Sequence, residues 1–420
     1  MALFFTLLLG SASMYVYWTH LPQNVDAAAP SVTDRPYPLT DLYAQWFGVR
    51  ELLLHHLDPY GDTVTRELQV AYYGKELDPS HAALLTHQQR FAYPLYVTFL
   101  LAPTVRMQFR TVQIIFWWLL AAATAASVLL WARAVGAKLS TATIVVTFAV
   151  TFASIPVMQG LTWLQLGLLV AFIIAAAAAA VFSGRLFLAG VLLAVATIKP
   201  QMSLLAITWF ILWVLGDWRK RHALLFGFAC MLGALILASE WLMPTWLQRF
   251  PAAVVAYGKH TRVASLLDAL LPAPLSWMAA IFVILVGLRF CWQALRQPAD
   301  SFAFALAVAS TLTLSTLVVP AVFQPFNYVL LIPVLLLVIR NWKDLLSASR
   351  LSRLGTYVSL ALALLPWPLA LAVNIGRLLP SFSWLQERWF APLNATLALP
   401  FAALGFLILL QRNAGSQLSN

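Results

Sequence analysis

Long apolar runs follow one another through most of this sequence, separated by short polar connections. Representative runs are Thr111–Trp131, Ser140–Val157, Thr162–Phe182 and Ala223–Ala238. A bilayer core about 30 Å thick takes roughly 20 apolar residues per helical span. Strands would leave unpaired peptide groups in hydrocarbon, so runs of this kind predict helices. The sequence therefore predicts an all-α polytopic membrane protein.

The composition supports the same class of protein. Apolar residues make up 62% of the chain and charged residues 10%, whereas soluble domains carry about 45–50% and about 25%. The formal net charge of +11 does not indicate nucleic-acid binding, because the basic residues stand singly or in short clusters at the ends of apolar runs. This placement is typical of topology signals and of contacts with lipid headgroups. Membrane lipids are therefore expected partners, and nucleic acid is not.

We interpret residues 1–420 as one membrane domain whose polar connections divide it into stretches. These are a retained first span at 1–18, a large first loop at 19–110, spans at 111–240, a second loop at 241–274 and the remaining spans at 275–420. Acids, prolines, histidines and tyrosines concentrate in the first loop. Its short apolar run, Phe91–Ala102, is interpreted as a re-entrant or half-depth helix. About twelve spans result, with amphipathic interfacial helices expected in the first loop.

Basic residues in short loops predict the orientation of the spans. The densest sets are Arg219–Arg221 and Arg340–Arg353, so both are placed in the cytoplasm. Alternation of the spans then places the first loop, residues 241–274 and Lys199 on the outer side. A Lys-Pro pair at Lys199 splits the run Leu186–Leu215 into two short helices. The predicted protein is an integral, multi-pass protein of the bacterial plasma membrane with its polar loops on the extracytoplasmic face.

The first loop begins with a helix that we predict to be amphipathic. Leu42 and Trp46 fall on one side of a helical wheel and Asp41 and Gln45 on the other, which favours a helix lying flat at the membrane interface. Thr40 is placed as the N-cap and Asp41 in the first turn, where the helix dipole favours a charged carboxylate. Such a carboxylate can act as a general base. From position alone, a plain helix-start acid is the favoured alternative.

Other polar groups stand at predicted helix starts. Lys199 precedes Pro200, which suits the first position of a helix, and a helix start beside a lysine is a potential anion site. The alternative for Lys199 is structural anchoring. Arg90, at the entry to an apolar segment, is either a snorkelling anchor or a phosphate ligand. No paired-cysteine metal site or phosphate-binding glycine loop occurs in the sequence, so neither a metal nor a cofactor is predicted.

Several of these segments, taken in order, resemble glycosyltransferase family 87. They are Thr40–Tyr43 leading through Arg50 to Asp58–Tyr60, Phe91–Pro94, the segment around Gln165, Ala189-Gly190 leading to Lys199–Gln201, and Pro325–Pro333. The resemblance extends from Asp41 to about Pro333. One position departs from the family pattern, which usually has a glycine just before the glutamine, because here Leu164 precedes Gln165. The departure raises the question of whether the backbone conformation that a glycine would allow before Gln165 is present in this protein.

The resemblance implies a GT-C fold with spans around a catalytic first outer loop. It also implies a polyprenyl-phosphate sugar donor, usually of mannose or a pentofuranose, and an inverting, metal-independent transfer to a hydroxyl of a glycan or glycolipid. Asp41 would deprotonate that hydroxyl, while Lys199 and Arg90 would neutralise the leaving phosphate. The remaining substrate-binding residues implied are Gln45, Tyr93, Gln165, Gln201, Asn327 and Tyr328.

Two other classes of protein fit the apolar runs. A transporter or lipid flippase without chemistry explains the spans equally well, but it predicts short loops and a paired internal repeat, and neither is evident in the sequence. A membrane scaffold that presents the first loop to a partner is the third interpretation.

Overall fold

All of the secondary-structure elements in the part of the chain that this computed structural model describes are helices, and no strand occurs there. The structure describes residues 10, 11, 15, 39–74, 76, 89–136, 140–260, 264–382, 384, 388 and 390–417. The predicted first span, residues 1–18, lies outside the described residues apart from Gly10, Ser11 and Tyr15.

The described helices fall into a first-loop group, a long central series and a C-terminal group. In chain order they are α1 Leu42–His55, α2 Asp62–Tyr73, α3 Val97–Leu101, α4 Phe109–Ala134, α5 Thr141–Phe152, α6 Ile155–Thr162, α7 Leu166–Phe182, α8 Leu186–Ala196, α9 Pro200–Gly216, α10 Trp218–Leu242, α11 Trp246–His260, α12 Leu266–Leu270, α13 Ala273–Ala294, α14 Phe302–Val318, α15 Ile332–Arg340, α16 Trp342–Ser347, α17 Arg350–Leu364, α18 Pro366–Leu378, α19 Ala391–Ala395 and α20 Leu399–Gln417. Short 3₁₀ helices cover Ala102–Thr104, Pro325–Leu331, Pro380–Phe382 and Thr396–Ala398.

Several of these helices can cross a membrane. Within the described residues, 4 helices are long and apolar enough, namely α4, α10, α13 and the continuous stretch Ala391–Ala414. Two bent pairs, α5 with α6 at 59° and α17 with α18 at 43°, raise the number to 6 if each pair is one span. Other apolar helices, such as α7 and α14, are shorter than this. The protein is a polytopic membrane protein, and the expectation of about twelve spans stays a prediction.

The core is built around α7 and α14, which are buried along most of their length. Neither helix carries a charged residue, as expected of a helix surrounded by other helices. The hydroxyls on α14 are satisfied within the helix apart from that of Ser310, which is buried without a hydrogen-bond partner among the described residues. Thr313 donates to the carbonyl of Ala309 at 2.9 Å, and Ser315 to that of Thr311 at 3.0 Å. Such bonds remove the cost of an unpaired hydroxyl in an apolar interior.

Close packing of α8 against α10 depends on glycine. A Cβ atom at Gly190 would lie 1.9 Å from the carbonyl oxygen of Leu224, and one at Gly227 would lie 2.2 Å from that of Phe187. Both obstacles are backbone atoms, so no side-chain rotation can relieve them. Small residues let membrane helices approach in this way. The structure therefore gives Gly190, part of the Ala189-Gly190 segment in the sequence, a packing role.

Helix α1 is not the amphipathic helix that the sequence predicted. Leu42 and Trp46 are buried, as expected, but Gln45 and Gly48 on the opposite side are buried too. A Cβ atom at Gly48 would lie 2.5 Å from Cδ2 of Phe91, so the segment that begins at Phe91 covers this face. The prediction of an amphipathic helix was wrong at this position, because the protein itself covers both sides of α1; the place of α1 relative to the membrane interface stays a prediction.

The amphipathic helix of the first loop is α2 instead. It buries Val64, Thr65 and Leu68, while Arg66 and Glu67 are exposed. Its buried positions recur at the three- and four-residue spacing of a single helix face. Of the two longer helices described in the first loop, α1 is largely buried and α2 is half-buried.

The start of α1 also differs from the prediction. The helix begins at Leu42, and Asp41 occupies the N-cap position with φ −58° and ψ −22° and makes no side-chain capping bond. Thr40, which was predicted as the cap, has a buried Oγ1 without a hydrogen-bond partner among the described residues. Asp41 lacks a capping bond because its carboxylate turns away from the helix towards another part of the chain.

The segment Phe91–Ala102 contains only a short helix. Helix α3 has 5 residues, a length of about 7.5 Å, which is far too short to cross a bilayer. Phe91, Leu95 and Leu101 are fully buried, so the segment packs into the protein. Its depth in the membrane stays a prediction.

The second loop, residues 241–274, contains a helix that packs on the first loop. On α11, the ring of Trp246 lies 5.9 Å from that of Tyr96, and the ring of Phe250 lies 6.4 Å from that of Tyr60. Arg249 forms an ion pair with Asp58. Helix α11 therefore covers part of the first loop.

Candidate active site

A chain of hydrogen bonds joins the carboxylate of Asp41 to three later segments. The Gln165 amide donates from Nε2 to Oδ2 of Asp41. Its Oε1 accepts a bond of 3.3 Å from Nζ of Lys199. Lys199 donates a second bond, of 3.2 Å, to Oδ1 of Asn327. We call this the Asp41–Asn327 chain. It brings together four residues that the sequence analysis singled out, from positions 286 residues apart at the extremes (327 minus 41).

Helix starts hold these side chains in place. Gln165 is the N-cap residue of α7, and Lys199 is the N-cap residue of α9, with Pro200 at the first helical position as predicted. Asn327 lies in the 3₁₀ helix Pro325–Leu331, which follows the end of the buried helix α14. Three separate breaks between helices therefore meet at this site. The break between α8 and α9, which the Lys-Pro pair predicted, is what places Lys199 there.

Three of the four residues of the Asp41–Asn327 chain are tightly enclosed by the protein. Gln165, Lys199 and Asn327 are 6%, 5% and 0% exposed. Nδ2 of Asn327 points to the carbonyls of Ala321 and Val322, at 3.4 and 3.3 Å, which leaves Oδ1 free to accept from Lys199. The lysine also lies 4.9 Å above the ring of Phe326. A buried ammonium group needs such partners, since water is excluded.

Gly167 is a member of this site that the sequence analysis missed. A Cβ atom there would lie 3.0 Å from Oδ1 of Asn327 and 3.2 Å from Nζ of Lys199. Any larger residue would press on both groups at once. Its place two residues after Gln165, in the first turn of a helix, is the sequence signal that could have identified it.

The backbone before Gln165 explains the departure from the family pattern. Leu164 has φ +52°, in the left-handed region where glycine is favoured. The following amide, that of Gln165, donates to the carbonyl of Gly160 at 2.8 Å. The turn that a glycine would adopt freely is thus retained here with a leucine. Side-chain burial helps to hold it, because Leu164 is only 3% exposed.

Burial changes the acidity of Asp41, which lies outside the candidate spans. Loss of hydration raises the pKa of its half-buried carboxyl to about 6, although the nearby Lys199 and the bond from Gln165 act to lower it. With a pKa of about 6 the carboxyl is still mainly ionised at pH 7. A carboxylate with a pKa near neutrality is better matched to general-base chemistry than an ordinary aspartate.

Tyrosines surround Asp41, and we call Tyr72, Tyr73, Tyr93 and Tyr257 the tyrosine wall. The first three lie within electrostatic range of Asp41, and Tyr257 lies within that of Tyr73 and Tyr93. The hydroxyl of Tyr72 donates to the carbonyl of Thr40 at 2.6 Å. Only Tyr93 was among the predicted site residues. Tyr257 comes from α11, so the second loop contributes to the surroundings of Asp41, which no local pattern in the sequence indicated.

The other predicted residues lie near the chain without joining it. Arg90 pairs with the exposed Asp62 at 3.0 Å, so its role at a phosphate stays a prediction. The hydroxyl of Tyr328 donates to the carbonyl of Phe323 at 2.7 Å, a bond within its own loop. Gln45 is buried one turn after Asp41, and Gln201 is half-buried in the first turn of α9. Their contacts with substrate stay predictions.

The sequence matches a known family over the central part of the molecule. The model of glycosyltransferase family 87 matches residues 91–320, more than half of the chain. The chain belongs to glycosyltransferase family 87. The protein is accordingly a membrane glycosyltransferase, with a sugar donor and an acceptor as its substrates. Gln165 and Lys199 lie inside the matched residues, and Asp41 and Asn327 lie outside them. No curated protein and no solved structure matches the chain.

Proposed function

We propose that this family 87 glycosyltransferase moves a sugar from a polyprenyl-phosphate donor to a hydroxyl of a glycan or glycolipid, with inversion at the anomeric carbon and without a metal. The sugar proposed is mannose or a pentofuranose. The reaction takes place at the extracytoplasmic face of the bacterial plasma membrane. Asp41 is the base, and Lys199 neutralises the phosphate.

The observation that carries this proposal is the juxtaposition of an acid and a cation through one amide. Gln165 bonds to both Asp41 and Lys199. Transfer from a sugar phosphate needs a group that removes a proton from the nucleophile and a group that neutralises the leaving phosphate. The Asp41–Asn327 chain supplies the carboxylate of Asp41 and the ammonium group of Lys199, which both bond to the side chain of Gln165. The lysine also stands at the N-terminus of α9, where the helix dipole favours an anion.

The proposed step balances as follows. The acceptor oxygen attacks the anomeric carbon, and the bond between that carbon and the phosphate oxygen breaks. The acceptor's proton passes to the Asp41 carboxylate, while the phosphate leaves with the bonding electron pair as a polyprenyl phosphate. Lys199 stabilises its charge without giving up a proton. Most of this stabilisation is available before the reaction, because Lys199 is held in place by Gln165 and Asn327.

The tyrosine wall supplies surfaces suited to a sugar. Its rings offer apolar faces and its hydroxyls offer hydrogen bonds, a combination that binds amphipathic rings in concave sites. The wall includes Tyr93, which was expected from the resemblance, and Tyr257 of α11. We propose that these two contact the donor sugar beside Asp41.

Transfer assays with defined donors test the proposal. Purified protein is incubated with a panel of polyprenyl-phosphate mannose and pentofuranoses, with and without EDTA, and release of polyprenyl phosphate is followed. We expect one donor to lose its sugar in the presence of acceptor, and EDTA to leave the rate unchanged. Transfer from a nucleotide sugar instead would contradict the proposed donor class. The absence of transfer by the wild-type protein from every member of the panel would contradict it as well.

The proposed face of the membrane is tested separately. A cysteine is introduced at Gln201, next to Lys199, in a variant that lacks Cys230 and Cys291. We expect labelling by an impermeant thiol reagent from the extracytoplasmic side. A cysteine at Lys220 serves as the opposite control. Labelling of the Gln201 position from the cytoplasm alone would contradict the proposed orientation.

A further inference from the structure

We infer that Gln165 is a positioning residue that holds Asp41 and Lys199 apart, so that neither charge is consumed by the other before the substrates bind. The inference rests on the proposed function, because it concerns how the proposed base and the proposed phosphate ligand remain available. It assigns Gln165 a role other than contact with the substrate.

The bonding of Gln165 supports this role. Its amide has one donor end and one acceptor end, and each is used on a charged neighbour: Nε2 on the Asp41 carboxylate and Oε1 on the Lys199 ammonium. A carboxylate and an ammonium group this close in a poorly hydrated interior attract each other strongly. The neutral amide between them satisfies both without allowing direct contact.

A direct ion pair would weaken both proposed functions. A carboxylate paired with an ammonium becomes a weaker base, since the opposite charge stabilises its ionised form. A lysine paired with a carboxylate offers less charge to an arriving phosphate. The spacer therefore keeps Asp41 basic and leaves the charge of Lys199 available to the ligand. Asn327, the second amide on Lys199, is neutral in the same way.

The surroundings fix the position and length of this spacer. The backbone at Gln165 is held by its amide bond to Gly160 and by the left-handed turn at Leu164. Gly167 leaves the space beside α7 that the ends of Lys199 and Asn327 need, since a Cβ atom there would lie 3.2 and 3.0 Å from them. Gln165 is also 6% exposed, so its amide has little access to solvent. Asparagine is too short to reach both partners, and glutamate would add a charge.

Two substitutions at Gln165 separate this role from others by the sign of their effects. Gln165→Ala opens space in which Lys199 can approach Asp41 directly. The acid limb, which is the fall of kcat as the pH decreases and Asp41 becomes protonated, should therefore move to lower pH. Gln165→Leu fills the space and removes the donor that stabilises the carboxylate, so the acid limb should move to higher pH. We expect each shift to be roughly half a pH unit or more. The donor KM should rise about tenfold in Gln165→Ala, and less in Gln165→Leu, because only the first consumes the lysine.

A matched control is the other buried glutamine nearby. Gln159 on α6 is 8% exposed and hydrogen-bonds to none of Asp41, Lys199 and Asn327 in the part of the chain that the structure describes. Gln159→Leu should leave the pH of the acid limb unchanged. Opposite shifts in the two Gln165 variants with no shift in the control support the inference. Equal shifts, or a change of KM without any shift in pH, overturn it and make Gln165 a substrate contact or a packing residue.

A measurement without substrate distinguishes failure of this inference from failure of the proposed function. The pH dependence of the melting temperature reports the ionisation of Asp41 in the folded protein. It should move in the same opposite directions in Gln165→Ala and Gln165→Leu, whatever the reaction. Opposite shifts in a protein that transfers no sugar from the donor panel would refute the proposed function alone. Transfer by the wild type with no such shifts would refute the spacer alone.

Discussion

The two ends of helix α9 each hold a buried cation, and they hold it differently. Lys199 at the N-terminal end bonds to two side-chain amides, one of which also binds the Asp41 carboxylate. Arg221, which lies beyond the C-terminal end at the start of α10, donates to backbone carbonyls of Trp213, Leu295 and Gln297 at 2.6, 2.8 and 2.8 Å. Its guanidinium also lies 3.9 Å above the ring of Trp213.

The difference separates a structural cation from a candidate functional one. The partners of Arg221 are main-chain groups whose positions are set by the helices they terminate, so the arginine joins the ends of α9, α10 and α13. The partners of Lys199 are side chains, and a phosphate oxygen can replace them without disturbing a helix. Arginine suits the first task because its planar fork reaches several carbonyls, and lysine suits the second because it presents a compact charge.

The largest effect is expected at the Lys199 end, from Asp41→Asn. The substitution keeps the size of the side chain and removes the base, so turnover should fall roughly 10²-fold or more. Stability should rise. In the unfolded chain Asp41 has its ordinary pKa, and in the folded protein its pKa is about 6. Folding therefore becomes less favourable as the pH increases through this window, and the wild type carries the full cost above it. At pH 8 the variant should gain up to about 3 kcal/mol.

Turnover with saturating donor and thermal unfolding at pH 8 check this prediction together. Asp58→Asn is the control, because Asp58 pairs with Arg249 of α11 and lies at the far end of α1. It should cost less than tenfold in turnover and should not raise the melting temperature. A well-folded Asp41→Asn protein with substantial turnover would remove Asp41 as the base.

The next effect is expected at the other end, from Arg221→Leu. The carbonyls that Arg221 binds lose their donor in a buried setting, which should cost about 3 kcal/mol of unfolding free energy. The site at Lys199 is unaffected, so kcat/KM per folded molecule should change less than twofold. Arg221→Lys should lose about half as much stability, since one ammonium cannot serve all three carbonyls. Thermal unfolding in detergent and transfer assays on the same samples measure both quantities. A loss of kcat/KM without a loss of stability would mean that Arg221 is not a structural cation.

Lys199→Ala should give the reverse pattern to Arg221→Leu. Donor affinity should fall roughly tenfold, because the phosphate loses its charged partner. The melting temperature should change little, since removal of a buried charge offsets the loss of its bonds. Lys199→Arg should recover part of the affinity. Binding of a non-transferable donor analogue measures the effect. Unchanged affinity in Lys199→Ala would make the lysine an anchor, like Arg221.

The same comparison predicts the pH dependence of transfer. Only the ionised carboxylate of Asp41 accepts a proton, so kcat should fall as the pH decreases through about 6 and should be roughly tenfold lower at pH 5. Stability should move in the opposite direction over this range, as derived above for Asp41→Asn. Arg221→Leu should retain the same acid limb. Transfer rates from pH 4.5 to 8 provide the measurement, and a flat profile would contradict the role of Asp41.

The sequence predicts much of the Lys199 end because its signals are local. The Lys-Pro pair predicts a helix break at Lys199, and the break is there. Gln165 stands near the start of the apolar run Thr162–Phe182, and the structure places it at the start of α7. Contacts between distant segments leave no such signal. That Arg221 reaches Gln297, or that Tyr257 approaches Tyr93, depends on how the helices pack in three dimensions.

The wrong predictions have the same origin. The side of α1 with Gln45 and Gly48 was predicted to differ from its apolar side because polar and apolar residues separate on the helical wheel. In the structure Phe91 covers that side, and a contact between residues so far apart in sequence cannot be read from the period of one helix. The surroundings of Asp41 could not be predicted for a related reason. Its bond to Gln165 is a long-range contact, and burial, which raises its pKa, has no signature in the local sequence.

The smallest expected effect concerns Leu164, which lies at the Lys199 end and has a left-handed backbone conformation. A glycine would adopt this conformation without strain. Leu164→Ala and Leu164→Gly both remove a buried side chain, so both should destabilise the protein. They differ in the backbone: alanine retains the cost of the left-handed conformation, about 1–2 kcal/mol, and glycine does not. The Leu164→Gly variant should therefore be more stable than Leu164→Ala by about 1 kcal/mol.

Leu295, a half-buried residue at the Arg221 end with φ −54°, is the control. Here the alanine variant should be more stable than the glycine variant, because glycine only adds freedom to the unfolded chain. Thermal unfolding of the four variants measures the two differences. The same order at both positions would show that the turn before Gln165 is not strained, and that the family glycine has some role other than its backbone freedom.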